Sequence, residues 1–102
     1  MKVSIITIVY NNCECIADCI RSVLSQSYPA IEHIVIDGGS TDGTQEKIQP
    51  FQDKLAFYIS EKDNGLYNAL NKGIRQATGD IIGILHSDDL FYDSESIQKI
   101  VA

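Results

Sequence analysis

The sequence predicts an α/β fold: a Rossmann-like open parallel sheet with helices on both faces. Three observations point there. Short β-branched runs alternate with segments whose apolar residues recur at helical spacing. The strand runs are apolar on both faces, as in parallel strands covered by helices, and right-handed crossovers then make the sheet Rossmann-like. Polar residues gather just after each strand, where open parallel sheets bind ligands.

The first strand is Val3 to Val9, bounded by Tyr10-Asn11-Asn12. Ile16, Ile20, Val23 and Leu24 then mark a helix that must stop before Tyr28-Pro29. Ile34-Val35-Ile36 is a second strand, running into the loop and helix-start chemistry of residues 37–43. A weaker helix follows to about Gln49, ended by Pro50, and Leu55 to Ile59 is the third strand. The next helix carries Leu66, Leu70, Ile74 and Ala77 on one face and is stopped by Gly79. Ile81 to Leu85 is the fourth strand, and Asp93 or Ser94 caps a last helix that is still running at Ala102. Four β-α units are less than a full doubly wound domain, so the chain reads as the N-terminal part of something larger.

Composition narrows the function classes. With 44% hydrophobic and 22% charged residues over 102 positions, this is one ordinary globular domain. Eight Lys and Arg against fourteen Asp and Glu give a net charge of −6, and the pI is about 4.6. Such a surface is unsuited to nucleic acid, and a phosphorylated ligand would need a metal cation beside it. No apolar run reaches the roughly 18 residues of a membrane span, nor is there a signal peptide, so the expected compartment is the cytoplasm. Cys13, Cys15 and Cys19 are too few and too close for a disulfide framework. Their C-x-C-x3-C spacing fits no common zinc knuckle, which leaves Cys19 to pack in a helix face.

The chemistry collects at the strand ends: Tyr10-Asn11-Asn12, then Asp37, then Glu61 and Asp63, then Asp88-Asp89. Two adjacent carboxylates on a rigid support repel each other and suit a hard divalent cation, although a solvated acidic turn would look the same. Asp37 precedes Gly38-Gly39-Ser40, where its charge would oppose a phosphate; it suits a base N–H or a ribose hydroxyl, or a tight turn bonded to its own backbone. Lys72 shares a helix face with Asn68, and is either a phosphate contact or a solvated lysine. His86 is either a ligand beside the acid pair or a structural histidine.

Four stretches carry a resemblance: SIITIVYNN, SVLSQSYPAIEHIVIDGGSTDGT, EKDNGLYNALNKGI and GDIIGILHSDD. In this order they resemble the N-terminal half of glycosyltransferase family 2, inverting enzymes of the GT-A fold that use nucleotide-activated sugars. The likeness runs from Lys2 to about Phe91 and implies a single nucleotide-sugar-binding domain over 1–102. It implies that Thr7 and Tyr10 line the nucleotide pocket, that Asp37 bonds the base, and that Asp63, Gly65 and Lys72 border the base and diphosphate. Ser87-Asp88-Asp89 matches the D-x-D-like motif, with Asp88 near the ribose and sugar and Asp89 holding Mn2+ or Mg2+ against the pyrophosphate. The implied partners are a nucleotide-diphosphate sugar, UDP-sugar favoured, and a glycan or lipid-linked acceptor, with peripheral membrane attachment through a further C-terminal part.

The chain departs from the family pattern at His86, where many relatives carry Asn, and at Asn68, which replaces an acid. The family's general base and acceptor segment lie downstream of the acid pair, so no catalytic base is assigned among these residues. Two other readings are a nucleotide-sugar-binding module without turnover and a nucleotidyltransferase. The latter would want a basic glycine-rich loop after the first strand, where Tyr10-Asn11-Asn12 stands.

Overall fold

Strand β1 (Val3–Val9) is the axis of the molecule, paired in parallel with β2 (Ile31–Asp37) on one side and β4 (Ile81–Ile84) on the other. With β3 (Phe57–Ser60) beside β2, the order is β3-β2-β1-β4, all parallel. The predicted fold class is the one observed. A computed structural model supplies these coordinates and describes residues 1–101 other than Asp63, Leu90, Tyr92 and Asp93. The predicted cap at Asp93 therefore lies outside the described residues.

Alternation along β1 divides the core. Val3, Ile5 and Val9 face α1 (Ile16–Leu24), α2 (Thr44–Ile48) and α4 (Ser96–Val101), against Cys19, Ile20, Ile48 and Ile97. Ile6 points the other way, with Ile34 and Ile36, towards Ala69 of α3 (Leu66–Gln76). Both faces are thus covered by helices, as the two-faced apolar strands predict. Among the described residues no helix is long and apolar enough to cross a membrane.

Besides a β3 that starts at Phe57 rather than Leu55 and a β4 that stops one residue short of Leu85, the structure departs from the sequence expectations in four places. β2 begins at Ile31, three residues earlier than its β-branched run, because it continues in register with Val3 of β1. The α-helix ends at Ile48, close to the expected Gln49, but Pro50 does not end the winding: a 3₁₀ segment, Gln49–Lys54, carries it in the first turn, where a missing N–H costs nothing. Gly79 is not the stop of α3, which ends at Gln76 with Ala77 already extended. A Cβ on Gly79 would lie 2.6 Å from Ser4 Oγ and 2.7 Å from Ser4 N, so the glycine is there for close passage over β1.

The fourth difference concerns α3. Its buried residues are Ala69 and Gly73, and a Cβ on Gly73 would meet Ile6 Cγ2 at 2.6 Å. Small residues bring the helix down onto the sheet, and the larger stripe is displaced sideways, leaving Leu66 56% and Ile74 44% exposed. β4 is an edge strand here, and Ile82 and Ile84 are 45% and 50% exposed.

Candidate functional site

The carboxyl ends of the four parallel strands share one rim, and the loops leaving them are cross-tied. Asn11 turns the chain after β1 in the left-handed region, at φ 48°. Its N–H donates to Ser40 Oγ at 2.8 Å, and its Oδ1 accepts from the Thr41 N–H at 2.8 Å. The β1 exit and the β2 exit therefore move as one. Asp42 accepts from the Thr44 N–H and from the Cys13 N–H, tying the starts of α1 and α2 together; the Thr44 hydroxyl bond leads the interactions that hold its carboxyl below the ordinary value.

Asp37 closes the end of β2. It is fully buried, and its carboxylate accepts from the Ser40 hydroxyl, from the Ser40 N–H at 3.3 Å and from Ser60 Oγ at 2.5 Å. Burial of a carboxylate is tolerable where donors surround it. Gly39, at φ 88°, completes the turn: a Cβ there would stand 3.4 Å from Lys62 Cα, so the β2 and β3 exits lie backbone to backbone. The left-handed backbone is what favours glycine there, since the approach itself is ordinary van der Waals contact.

Below these loops lies a cavity of about 380 Å³, lined by Tyr10, Gly38, Lys62, Gly65, Leu66 and Ala69 among others. Gly65, at φ 110°, opens α3 at its wall. Tyr10 is well exposed at the mouth. A mostly apolar slot with a phenol ring and backbone polar groups suits a flat heterocycle.

The acid pair stands on the neighbouring turn. Asp88 and Asp89 are both exposed, and the Asp89 N–H donates to the His86 carbonyl at 2.9 Å. Ser87 is buried, and its Oγ accepts from Asn12 Nδ2 at 3.0 Å. The His86 carbonyl also accepts from the Cys19 thiol at 3.6 Å, and burial pushes that thiol up to about 11. His86 itself is exposed beside the pair.

The predicted site residues divide accordingly. Tyr10 and Gly65 line the cavity, and Asp88 and Asp89 face solvent on the adjacent turn. Thr7 does not line the cavity: it is fully buried on the α1 side, 2.8 Å from His33 Nε2 and 3.9 Å from Cys19 Sγ. Lys72 reaches the rim and bonds Glu61 at 2.9 Å. Asp63 lies outside the described residues. Asn11, Asn12, Ser40 and Ser60, the residues that cross-tie the loops, carry no local sequence signal for that role, since their partners are 23 to 75 positions away.

The fit to a divalent cation rests on the chemistry of the donors. Two exposed carboxylates offer the hard oxygen ligands that Mg2+ or Mn2+ prefers. Among the described residues, no group of three or more His, Cys, Asp and Glu could hold a metal, so the pair would share its ion with water and with phosphate oxygens of a ligand. That division of ligands is ordinary for Mg2+ at phosphate sites.

Known proteins bear on this arrangement. The profile of "Glycosyl transferase family 2" matches residues 4–102. An uncharacterized glycosyltransferase of Mycobacterium tuberculosis (Rv1514c) is 40% identical over 100 residues, covering 97% of this chain and 38% of the relative. The mannosyltransferase PcManGT from Pyrobaculum calidifontis, solved with GDP-Man and Mn2+, superposes with a TM-score of 0.90 at 30% identity, over 98% of this chain and 31% of that one. S. aureus TarS 1-349, solved with UDP-GlcNAc, superposes with a TM-score of 0.84 at 27% identity, over 99% of this chain and 30% of that one. The chain thus spans well under half the length of the proteins it matches.

Proposed function

Because the chain belongs to glycosyltransferase family 2, we propose that it forms the donor-binding part of an enzyme that transfers a sugar from a nucleotide-diphosphate sugar to an acceptor hydroxyl, with inversion and with Mn2+ or Mg2+ assisting. The observation that carries this is the convergence, at one rim of a parallel sheet, of an apolar cavity and an exposed acid pair. A nucleotide needs the first and its diphosphate, brought to an acidic protein, needs the second. The Mn2+ and nucleotide sugars named with the two solved relatives support the same assignment.

In this reading the base enters the cavity against Tyr10, between the Gly38 turn and Gly65, where stacking and apolar contact hold it. Asp37 is fully buried under the bonds from Ser40 and Ser60, so it meets a base N–H only if the turn opens, and its first task is to hold the turn that forms the cavity wall. Lys72 faces the diphosphate from α3, with Glu61 as its partner before the ligand arrives. Asp88 and Asp89 hold the cation, which supplies positive charge to the departing diphosphate. Ser87, buried and accepting from Asn12, supports that turn from beneath. The base that deprotonates the acceptor is assigned to chain beyond these residues, as is the acceptor wall. The donor tested first is a UDP-sugar, and the acceptor is a glycan or lipid-linked glycan.

Calorimetry with UDP, run with Mn2+ and then with excess chelator, tests the reading. Binding in Mn2+ that disappears in chelator is the expected result. Equal affinity in both would remove the acid pair from the site.

A further inference from the structure

Asn12 sits where three elements meet. Its carbonyl accepts from the Cys15 and Ile16 N–H groups at 3.2 and 3.1 Å, which opens α1. Its own N–H donates to Thr44 Oγ1 at 3.1 Å, at the start of α2. Its side chain reaches the other way, Nδ2 donating to Ser87 Oγ at 3.0 Å, across 75 positions of sequence. The backbone bonds immobilise Asn12, and the side chain passes that rigidity to the residue immediately before Asp88.

The same turn is held a second time, from the helix that Asn12 opens. Cys19, fully buried in α1, donates its thiol to the His86 carbonyl, which the Asp89 N–H also reaches. β4 ends at Ile84 and the Leu85 N–H still donates to the Ile6 carbonyl at 3.0 Å, so among the described residues the ladder holds the entry to this turn but not Ser87, Asp88 or Asp89. Among the described residues, the turn's side-chain anchors come from α1 and the segment leading into it.

We propose that Asn12 is a positioning residue for the acid pair: through Ser87 it fixes the orientation in which Asp88 and Asp89 are presented to a divalent cation and a diphosphate. The inference rests on the nucleotide-sugar reading above. Adjacent carboxylates repel, and on a loose turn they would spread apart. A cation binding there would have to order the turn first, and that ordering would be subtracted from its affinity. A turn already tied to two helix starts presents its ligands in place. Ser87, accepting from Asn12, still carries its own proton to donate within the turn.

The test uses the 102-residue chain with Asn12→Ala, Ser87→Ala and the double variant. Replacing the Asn12 side chain removes only the bond to Ser87, because the bonds to Cys15, Ile16 and Thr44 are made by its backbone. Amide hydrogen exchange without ligand reads the turn, and Mn2+ affinity in the presence of UDP, by electron paramagnetic resonance, reads the consequence. In each single variant the Asp89 N–H should exchange about tenfold faster while the β1 amides keep their protection. Mn2+ affinity should fall about 3- to 10-fold, the equivalent of one hydrogen bond. The double variant should lose no more than either single one, since both remove one contact. Unchanged Asp89 exchange in both single variants, or losses that add in the double variant, would overturn the proposal. If the unaltered chain binds no Mn2+ with UDP, the nucleotide-sugar reading fails, and Asp89 exchange alone still decides whether Asn12 holds the turn. Should Asn12→Ala fail to fold, Ser87→Ala cuts the same bond from its other end.

Discussion

Lys72 Nζ lies 2.9 Å from Glu61 Oε1, joining α3 to the exit of β3 at the rim of the cavity. The lysine side chain is only 16% exposed and the glutamate 50%. The ammonium is therefore the more buried end of the pair, while the carboxylate stays open to water. In the proposed reading a diphosphate arriving there would compete with Glu61 for the ammonium, and its greater charge would favour it.

Lys72→Met should accordingly weaken UDP binding about tenfold, in line with a charge-assisted hydrogen bond, and leave uridine binding unchanged. Calorimetry with the two ligands separates these effects. An equal loss for UDP and uridine would mean that the ion pair only supports the cavity wall.

Asp37→Asn should destabilise the fold by about 1–3 kcal/mol, because an amide nitrogen would face donors that now meet carboxylate oxygens. Ser40 and Ser60 both donate to that group, and the site is closed to water. Urea denaturation measures this. A chain of unchanged stability that has lost UDP affinity would restore Asp37 to direct contact with the base.

Acid should act in two windows. His33 is buried, and desolvation lowers it from 6.5 to about 4. The unfolded chain therefore binds a proton that the folded one refuses, and stability falls as pH drops from about 6.5 to 4. The loss is on the order of 3 kcal/mol. Glu32 follows: burial raises it, but bonds from Ser4, Thr78 and Lys2 outweigh that and bring it down from 4.5 to about 2. Its contribution is complete above 4.5 and is lost as pH falls towards 2. Denaturation midpoints measured from pH 7 to 3 should show the first window vanish in His33→Gln while the second remains.

Gly73→Ala should destabilise the protein by about 1–3 kcal/mol, although alanine favours a helix by about 1 kcal/mol. The new methyl would stand 2.6 Å from Ile6 Cγ2, and overpacking against the sheet outweighs the backbone gain. A rise in melting temperature would show that α3 can lift away without penalty.

The strands and the rim could be read from the sequence because each depends on neighbours along the chain. A β-branched run such as Val3–Val9 and the polar residues after it declare themselves locally. The contact face of α3 did not, because periodicity weights large apolar residues while the approach of helix to sheet is set by the smallest, Ala69 and Gly73. Gly79 looked like a helix stop for the same reason; its neighbour Ser4 is 75 positions away. The burial of Thr7 and Asp37 was equally hidden. Thr7 lies within β1 and Asp37 at the end of β2, and only the folded pairing with His33, Ser40 and Ser60 reveals that their hydrogen bonds are directed inward.

Among the described residues no strand lies beyond β4, which bears on how this 102-residue chain behaves at high concentration. Ile82 and Ile84 face solvent on an edge strand whose four residues, Ile-Ile-Gly-Ile, carry no charge to discourage another strand from adding on. What keeps molecules apart is the net charge of −6, a repulsion that reaches only about a Debye length. The two effects answer oppositely to ionic strength. Dilute buffer lets the charge dominate; concentrated salt screens it and strengthens apolar contact, so colloidal association should set in as salt rises.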